Sequence, residues 1–181
     1  MKKIIGAAVI FVWVLTTSVI VASLPGVVRI VCINKCGLAE QVAAIVGGPS
    51  GQIEAQLGQL FTSAEVSHLT DVSRLLWVIK AVWVILSLAL ISNIGTFRKS
   101  LDWGIKLTLI LLVATSATVL AAWRYFFVGF HQLFFPQGNW AFPADSYLLE
   151  IYPEPFWQRM TGLMVLLMAT MMLSIRQGQR R

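Results

Sequence analysis

The stretch Phe130-His131-Gln132-Leu133-Phe134-Phe135-Pro136-Gln137-Gly138-Asn139-Trp140 follows one long apolar run directly and precedes another. A chain that leaves one membrane-length run and enters the next must cross the membrane surface and come back. Up to Trp157 this connection holds one of the two histidines and two of the seven tryptophans. Aromatic content of that density exceeds what a simple connection between helices needs. It reads as the lip of a site.

The rest of the chain sets the class. Apolar residues make up 57% of the 181 and charged residues 12%, and mean hydropathy is +0.78. A soluble domain carries about twice that charged fraction. The sequence is therefore that of an integral membrane protein, and its length suits one unit, residues 1–181. A net charge of +6 would suggest nucleic acid for a soluble protein. Here its distribution reports topology, and no nucleic-acid partner is expected.

In chain order, Lys2 and Lys3 precede an apolar run over 4–24, long enough to span. It exceeds the usual core of a cleaved signal peptide and contains Trp13, so it is read as the first span, closed by Pro25-Gly26. Residues 25–74 mix charge with a Gly47-Gly48-Pro49-Ser50-Gly51 turn and read as a small cap. Within it, the β-branched run Val27–Ile33 favours a short strand. Further spans are expected over about 75–92, 105–123 and 159–175, with a second outer segment over 124–158. The predicted fold is all-α, with four transmembrane helices and a small extracytoplasmic cap in which short β elements are allowed.

Charge orients the bundle. The amino terminus, the turn near Arg98 and the carboxy terminus carry eight basic residues and one acidic one, whereas the other side carries six basic residues against seven carboxylates. Basic residues stay on the cytoplasmic side. Both termini are thus expected in the cytoplasm of a multi-pass inner-membrane protein, with both histidine segments facing outward.

The first histidine segment is Glu65-Val66-Ser67-His68-Leu69-Thr70-Asp71-Val72. On a helix, Glu65, His68 and Asp71 share one face. A carboxylate beside an imidazole holds its tautomer and raises its basicity, so Glu65 or Asp71 is a candidate to orient His68. The plainer alternative is an interfacial histidine with Asp71 paired to Arg74. In the second segment His131 lies seven residues after Arg124, which places both on one face of a continued helix. The plainer alternative there is an aromatic belt. Trp140 and Asp145 follow a Gln137-Gly138-Asn139 turn, and a short helix is expected over Tyr147–Tyr152 before Pro153-Glu154-Pro155 breaks it.

Together, His68-Leu69-Thr70-Asp71-Val72 and Phe130-His131-x-x-Phe134-Phe135…Trp140-x-Phe142…Asp145…Leu149…Pro153…Phe156-Trp157 resemble the two signatures of one family. It is the family of four-span bacterial membrane proteins that includes the lipoprotein intramolecular transacylase. Leu69 stands where the family pattern has Met. The resemblance implies an acyltransferase that moves the sn-2 acyl chain of a diacylglyceryl-cysteine lipoprotein onto that cysteine's own α-amine. It implies a lipoprotein partner, membrane lipid and no cofactor, and it nominates His68 and His131 as catalytic. Such a shift needs a base for the ammonium, an acid for the glycerol oxygen and donors for the oxyanion. Histidines suit both proton roles, and Arg124, Trp140 and Asp145 are candidate substrate or oxyanion contacts. No Gly-x-Ser-x-Gly element is present, and Ser67, Ser73 and Ser146 lack a nucleophile's context.

Cys32 and Cys36 are candidates for a disulfide, which requires a non-helical arc between them. Two rival readings remain. Cys32, Cys36, His68 and His131 make up a Cys2His2 metal set if all four converge. A non-enzymatic partner-binding or assembly protein would instead use the cap and leave the histidines idle. A transporter is disfavoured, since only Lys80 is ionisable deep in a span.

Overall fold

A computed structural model describes residues 2–93, 95 and 101–179. Arg98, Lys99, Arg180 and Arg181, which enter the charge argument, lie outside the described residues, as does Ile94. The helices are α1 (Lys2–Ala22), α2 (Pro25–Val31), α3 (Cys36–Gly47), α4 (Ile53–Leu57), α5 (Ser63–Ser92), α6 (Leu101–Phe134), α7 (Tyr147–Ile151) and α8 (Glu154–Gln179). There is no strand among the described residues. The expected strand at Val27–Ile33 is helical as far as Val31 instead, because Pro25 occupies the first turn of α2 with its φ already set for a helix. β-branched composition alone does not separate the two states in so short a run.

Helices α1, α5, α6 and α8 are long and apolar enough to cross a membrane. Helix α1 is the hub, packed on α5, α6 and α8. Ile10 and Val14 of α1 meet Ile105 and Leu112 of α6 and Met168 and Met172 of α8 in a buried core. Two indoles tie α1 to α5: Trp13 Nε1 donates to Ser87 Oγ (2.8 Å) and Trp83 Nε1 to Thr17 Oγ1 (2.9 Å). Val78, Ile85, Leu88, Ile110, Val113 and Leu166 point out of the bundle. That suits side chains solvated by lipid, where association depends on close packing rather than on hiding apolar surface. Close packing is visible at Gly104, where a Cβ would stand 3.1–3.2 Å from three Ile10 carbons.

Helix length positions the site. The 30 residues of α5 extend about 45 Å, against a hydrocarbon core of about 30 Å, and the 34 residues of α6 form two helical segments joined at a kink. Both therefore overhang the bundle at the end where α5 begins and α6 finishes. Helix α6 does not stop at Trp123. It bends at Ala122 (φ −150°, ψ 48°) and continues to Phe134.

The short helices gather at the same end. Val42, Val46, Ile53, Leu57 and Phe61 pack with Val66 and Leu69 of α5, Leu148 and Ile151 of α7, and Phe156 of α8. Cys32 and Cys36 are joined, with Cα atoms 5.5 Å apart. The arc between them is non-helical, with Lys35 left-handed at φ 51°. Lys80 is no isolated charge in a span: its Nζ donates to the Gly47 carbonyl (2.6 Å), and Trp77 Nε1 donates to that of Gly48 (2.9 Å). A cation there complements the negative end of α3.

Gly104→Leu is expected to overpack α1 against α6, costing roughly 1–3 kcal/mol and lowering Tm in detergent. Gly129→Ala, where a Cβ meets nothing within 4 Å, is the control expected to leave Tm unchanged.

Candidate active site

The site grows from the first three turns of α5. Thr62 caps the helix, its Oγ1 accepting from the Glu65 N–H, while a Glu65 carboxylate oxygen accepts from Thr62 N–H (2.8 Å) and Oγ1 (2.9 Å). The other Glu65 oxygen accepts from Ser146 Oγ and from Leu148 N–H (2.9 Å). Ser146 is the N-cap of α7. One carboxylate, 2% exposed, thus fastens the starts of two helices together. Buried carboxylates survive only when their lone pairs are filled in this way.

One turn on, the His68 ring lies under Phe135 (centroids 4.9 Å apart) and Phe142 (5.7 Å). His131 comes in from the overhanging end of α6, its ring 5.9 Å from that of His68. Around His131 stand Phe127 (4.1 Å), Trp140 (4.9 Å) and Phe130 (5.4 Å). Both imidazoles are 8% exposed. His131 Nδ1 donates to the Phe127 carbonyl (2.8 Å), which leaves Nε2 as the nitrogen with a free lone pair. Nδ1 of His68 is buried with no partner among the described residues.

Electrostatics follow from the cage. Burial pushes the His131 pKa below the ordinary 6.5, partly opposed by its bond to Phe127. Two protonated rings 5.9 Å apart would repel by roughly 3 kcal/mol at an effective dielectric near 20. The pair therefore holds at most one proton near neutral pH, the condition for passing a proton between substrate atoms.

A further turn along, Asp71 Oδ2 accepts from Asn139 Nδ2 (2.7 Å) and Gln137 Nε2 (2.8 Å), and Oδ1 from Arg74 (3.0 Å). Asn139 Nδ2 also reaches Ser67 Oγ (3.2 Å). Asp71 thereby holds the turn that carries Trp140 over the histidines. Gly138 sits in that turn at φ +80°, which favours glycine.

The structure brings His68, His131 and Trp140 together, with Asp71 and Glu65 one turn to either side of His68. Neither carboxylate accepts a hydrogen bond from His68 among the described residues. Both are bonded to groups of the covering segment, Glu65 to Ser146 and Leu148 and Asp71 to Gln137 and Asn139. Asp145 is exposed beside the site, and Arg124 is exposed with no ion pair among the described residues. The Cys2His2 set is not assembled. The two sulfurs bond each other, and no three His, Cys, Asp or Glu side chains converge as ligands among the described residues. Ser67 and Ser146 bond Asn139 and Glu65 rather than a histidine. Gln137 and Asn139, read from sequence only as a turn, prove to be the clamp on Asp71. Thr62-x-x-Glu65 has the form of a capping box, the signal that would have revealed Glu65's attachment.

Comparison with known proteins adds the family. The pattern described as "Lipoprotein intramolecular transacylase Lit" matches residues 4–157. An uncharacterized protein of Aquifex aeolicus (strain VF5) is 29% identical over 99 residues, 54% of this chain, and the match covers 46% of that relative's length. No solved structure matches.

Glu65→Ala would strand the Leu148 and Thr62 N–H groups and is expected to destabilise the fold by about 2–4 kcal/mol. Thermal unfolding in detergent reads this, and a Tm within a degree of wild type would contradict the shared-cap account.

Proposed function

We propose that this chain, which belongs to the lipoprotein intramolecular transacylase family, moves the sn-2 acyl chain of a diacylglyceryl-cysteine lipoprotein onto that cysteine's own α-amine. The observation that carries the reading is the ring-to-ring meeting of His68 and His131, delivered by different helices into one aromatic cage.

The amine nitrogen attacks the sn-2 ester carbonyl, forming the C–N bond and an oxyanion. An imidazole lone pair, such as that on His131 Nε2, takes the proton released from nitrogen. The bond between the acyl carbon and the sn-2 glycerol oxygen then breaks as the oxyanion collapses, and the departing oxygen takes a proton from the pair. The products are an amide on the cysteine and a free sn-2 hydroxyl. Because nucleophile and ester belong to one molecule, positioning replaces an acyl-enzyme. That agrees with the absence of a serine bonded to either histidine among the described residues. Trp140, against His131, is the candidate oxyanion donor, and Arg124 the candidate headgroup contact.

Phe127, Phe130, Phe135 and Phe142 exclude water that would hydrolyse the ester. The uneven distribution of basic residues supports termini in the cytoplasm and an active face at the outer leaflet of the cytoplasmic membrane. The overhang of α5 and α6 supports a cage at the headgroup boundary, where an sn-2 ester lies.

Mass spectrometry of a reporter lipoprotein, made in cells that produce only the diacylglyceryl form, tests the reaction. Expression of this protein is expected to move one acyl chain to the α-amine. An unchanged lipopeptide beside well-expressed protein would sink the reading.

The pH dependence is a second test. His131 titrates below 6.5, so at pH 7 it is neutral and competent as a base, and it is lost only at more acid pH. The substrate α-ammonium titrates near 8. The expected profile of log kcat/KM has a slope of one between about pH 6.5 and 7.5, steepening to two below 6.5. Steepening that sets in above 6.5 would contradict a caged, neutral base.

A further inference from the structure

A cavity of about 560 Å³ lies beside the histidine cage, between the first turn of α5 and residues 138–147. Phe142 is shared: its ring packs on His68 and also lines the cavity. Asn139, clamped to Asp71, is shared as well. Along the α5 axis the cavity lies beyond His68 on the side away from the apolar part of the helix. Thr62, on its wall, is six residues before His68, about 9 Å.

The wall is suited to a peptide. Ala141, Phe142 and Pro143 form an irregular stretch along it, and the N–H groups of Ala141 and Phe142 have no hydrogen-bond partner among the described residues. Among the described lining residues the charged ones are Glu65, whose oxygens are already filled, and Asp145, which is exposed and unpaired; there is no lysine or arginine. Lys35, over the Tyr147 ring at 4.1 Å, is paired with Glu150. Such a wall disfavours a lipid phosphate and favours a neutral or cationic chain with backbone carbonyls to offer.

We infer that this cavity receives the polypeptide of the substrate immediately after its lipid-bearing cysteine. The inference rests on the reading of the histidine pair as the acyl-transfer centre. With acyl chains in the bilayer and the ester at the histidines, the peptide must leave in the direction of this cavity. Nine ångströms accommodates two to three extended residues. The Ala141 and Phe142 amides are its backbone contacts, and Asp145 is its specificity-determining group, preferring lysine over glutamate on the substrate peptide.

The test is a synthetic diacylglyceryl-cysteine pentapeptide with a diazirine side chain on the second residue after cysteine. It is irradiated with the full-length protein in detergent, and adducts and N-acyl product are both mapped by mass spectrometry. Adducts are expected within residues 60–65 and 138–147, and Ala64→Trp is expected to abolish them. A lysine-bearing peptide is expected to have a three- to fivefold lower KM than a glutamate-bearing one, inverted in Asp145→Lys. Product formed with adducts elsewhere, or with the same KM ratio in Asp145→Lys, overturns the inference and leaves the transacylase standing. Adducts in the cavity without product keep the peptide site and sink the transacylase. Neither adduct nor product sinks both.

Discussion

One buried carboxylate holds the working end of this molecule together. Glu65 fills its lone pairs with Thr62, Ser146 and the Leu148 amide, and so fixes where α5 begins and where α7 begins relative to it. Those two starting points set the height of the segment that roofs the histidines. A charge in that position is stable only while every bond is made, since each orphaned donor costs free energy on top of the lost bond. The helices below could assemble without Glu65, because their contacts are made around α1. The cage could not keep its shape.

The second constraint is length. A bilayer fixes how much of a helix it can hide, and α5 and α6 are longer than that. His68 and His131 lie on the turns of these helices at one end of the bundle, where the aromatic residues of 126–142 close around them. The bend at Ala122 divides the spanning part of α6 from the part that lines the cage. Chemistry on a lipid ester, as proposed, needs a dry site reachable from the membrane surface, and a pair of helices longer than the span would supply one without a pore or a separate soluble domain. The Asp71 clamp on Gln137 and Asn139 then presses Trp140 against His131.

Much of this was legible in the chain because the physics behind it is local. Membrane-length apolar runs declare four helices, and two rare histidines beside carboxylates and aromatics stand out against so apolar a background. The strand expected at Val27–Ile33 failed because β-branched residues are compatible with either state, and the deciding residue, Pro25, lies before the run. The bend at Ala122 falls next to the polar Arg124, where the apolar run ends, but nothing in the run itself marks how sharply the helix turns. Asp71 meeting Gln137 and Asn139 was invisible for a different reason. A turn's amides carry no periodic signal, and their partner is set by how the covering segment folds over α5. Spacing on one helix placed Glu65 and Asp71 beside His68 but could not show the Ser146, Leu148, Gln137 and Asn139 groups that they bind.

If the two histidines act as a unit, a double-mutant cycle measures it most directly. Initial rates of acyl migration on a diacylglyceryl lipopeptide would be compared for wild type, His68→Ala, His131→Ala and the double variant, each checked for its Tm. Groups that pass one proton between them fail together, so each single loss is expected to be at least about a thousandfold and the double variant no slower than either single one. Losses that multiply in the double variant, or a single variant retaining wild-type rate, would contradict the histidine pair as the catalytic centre.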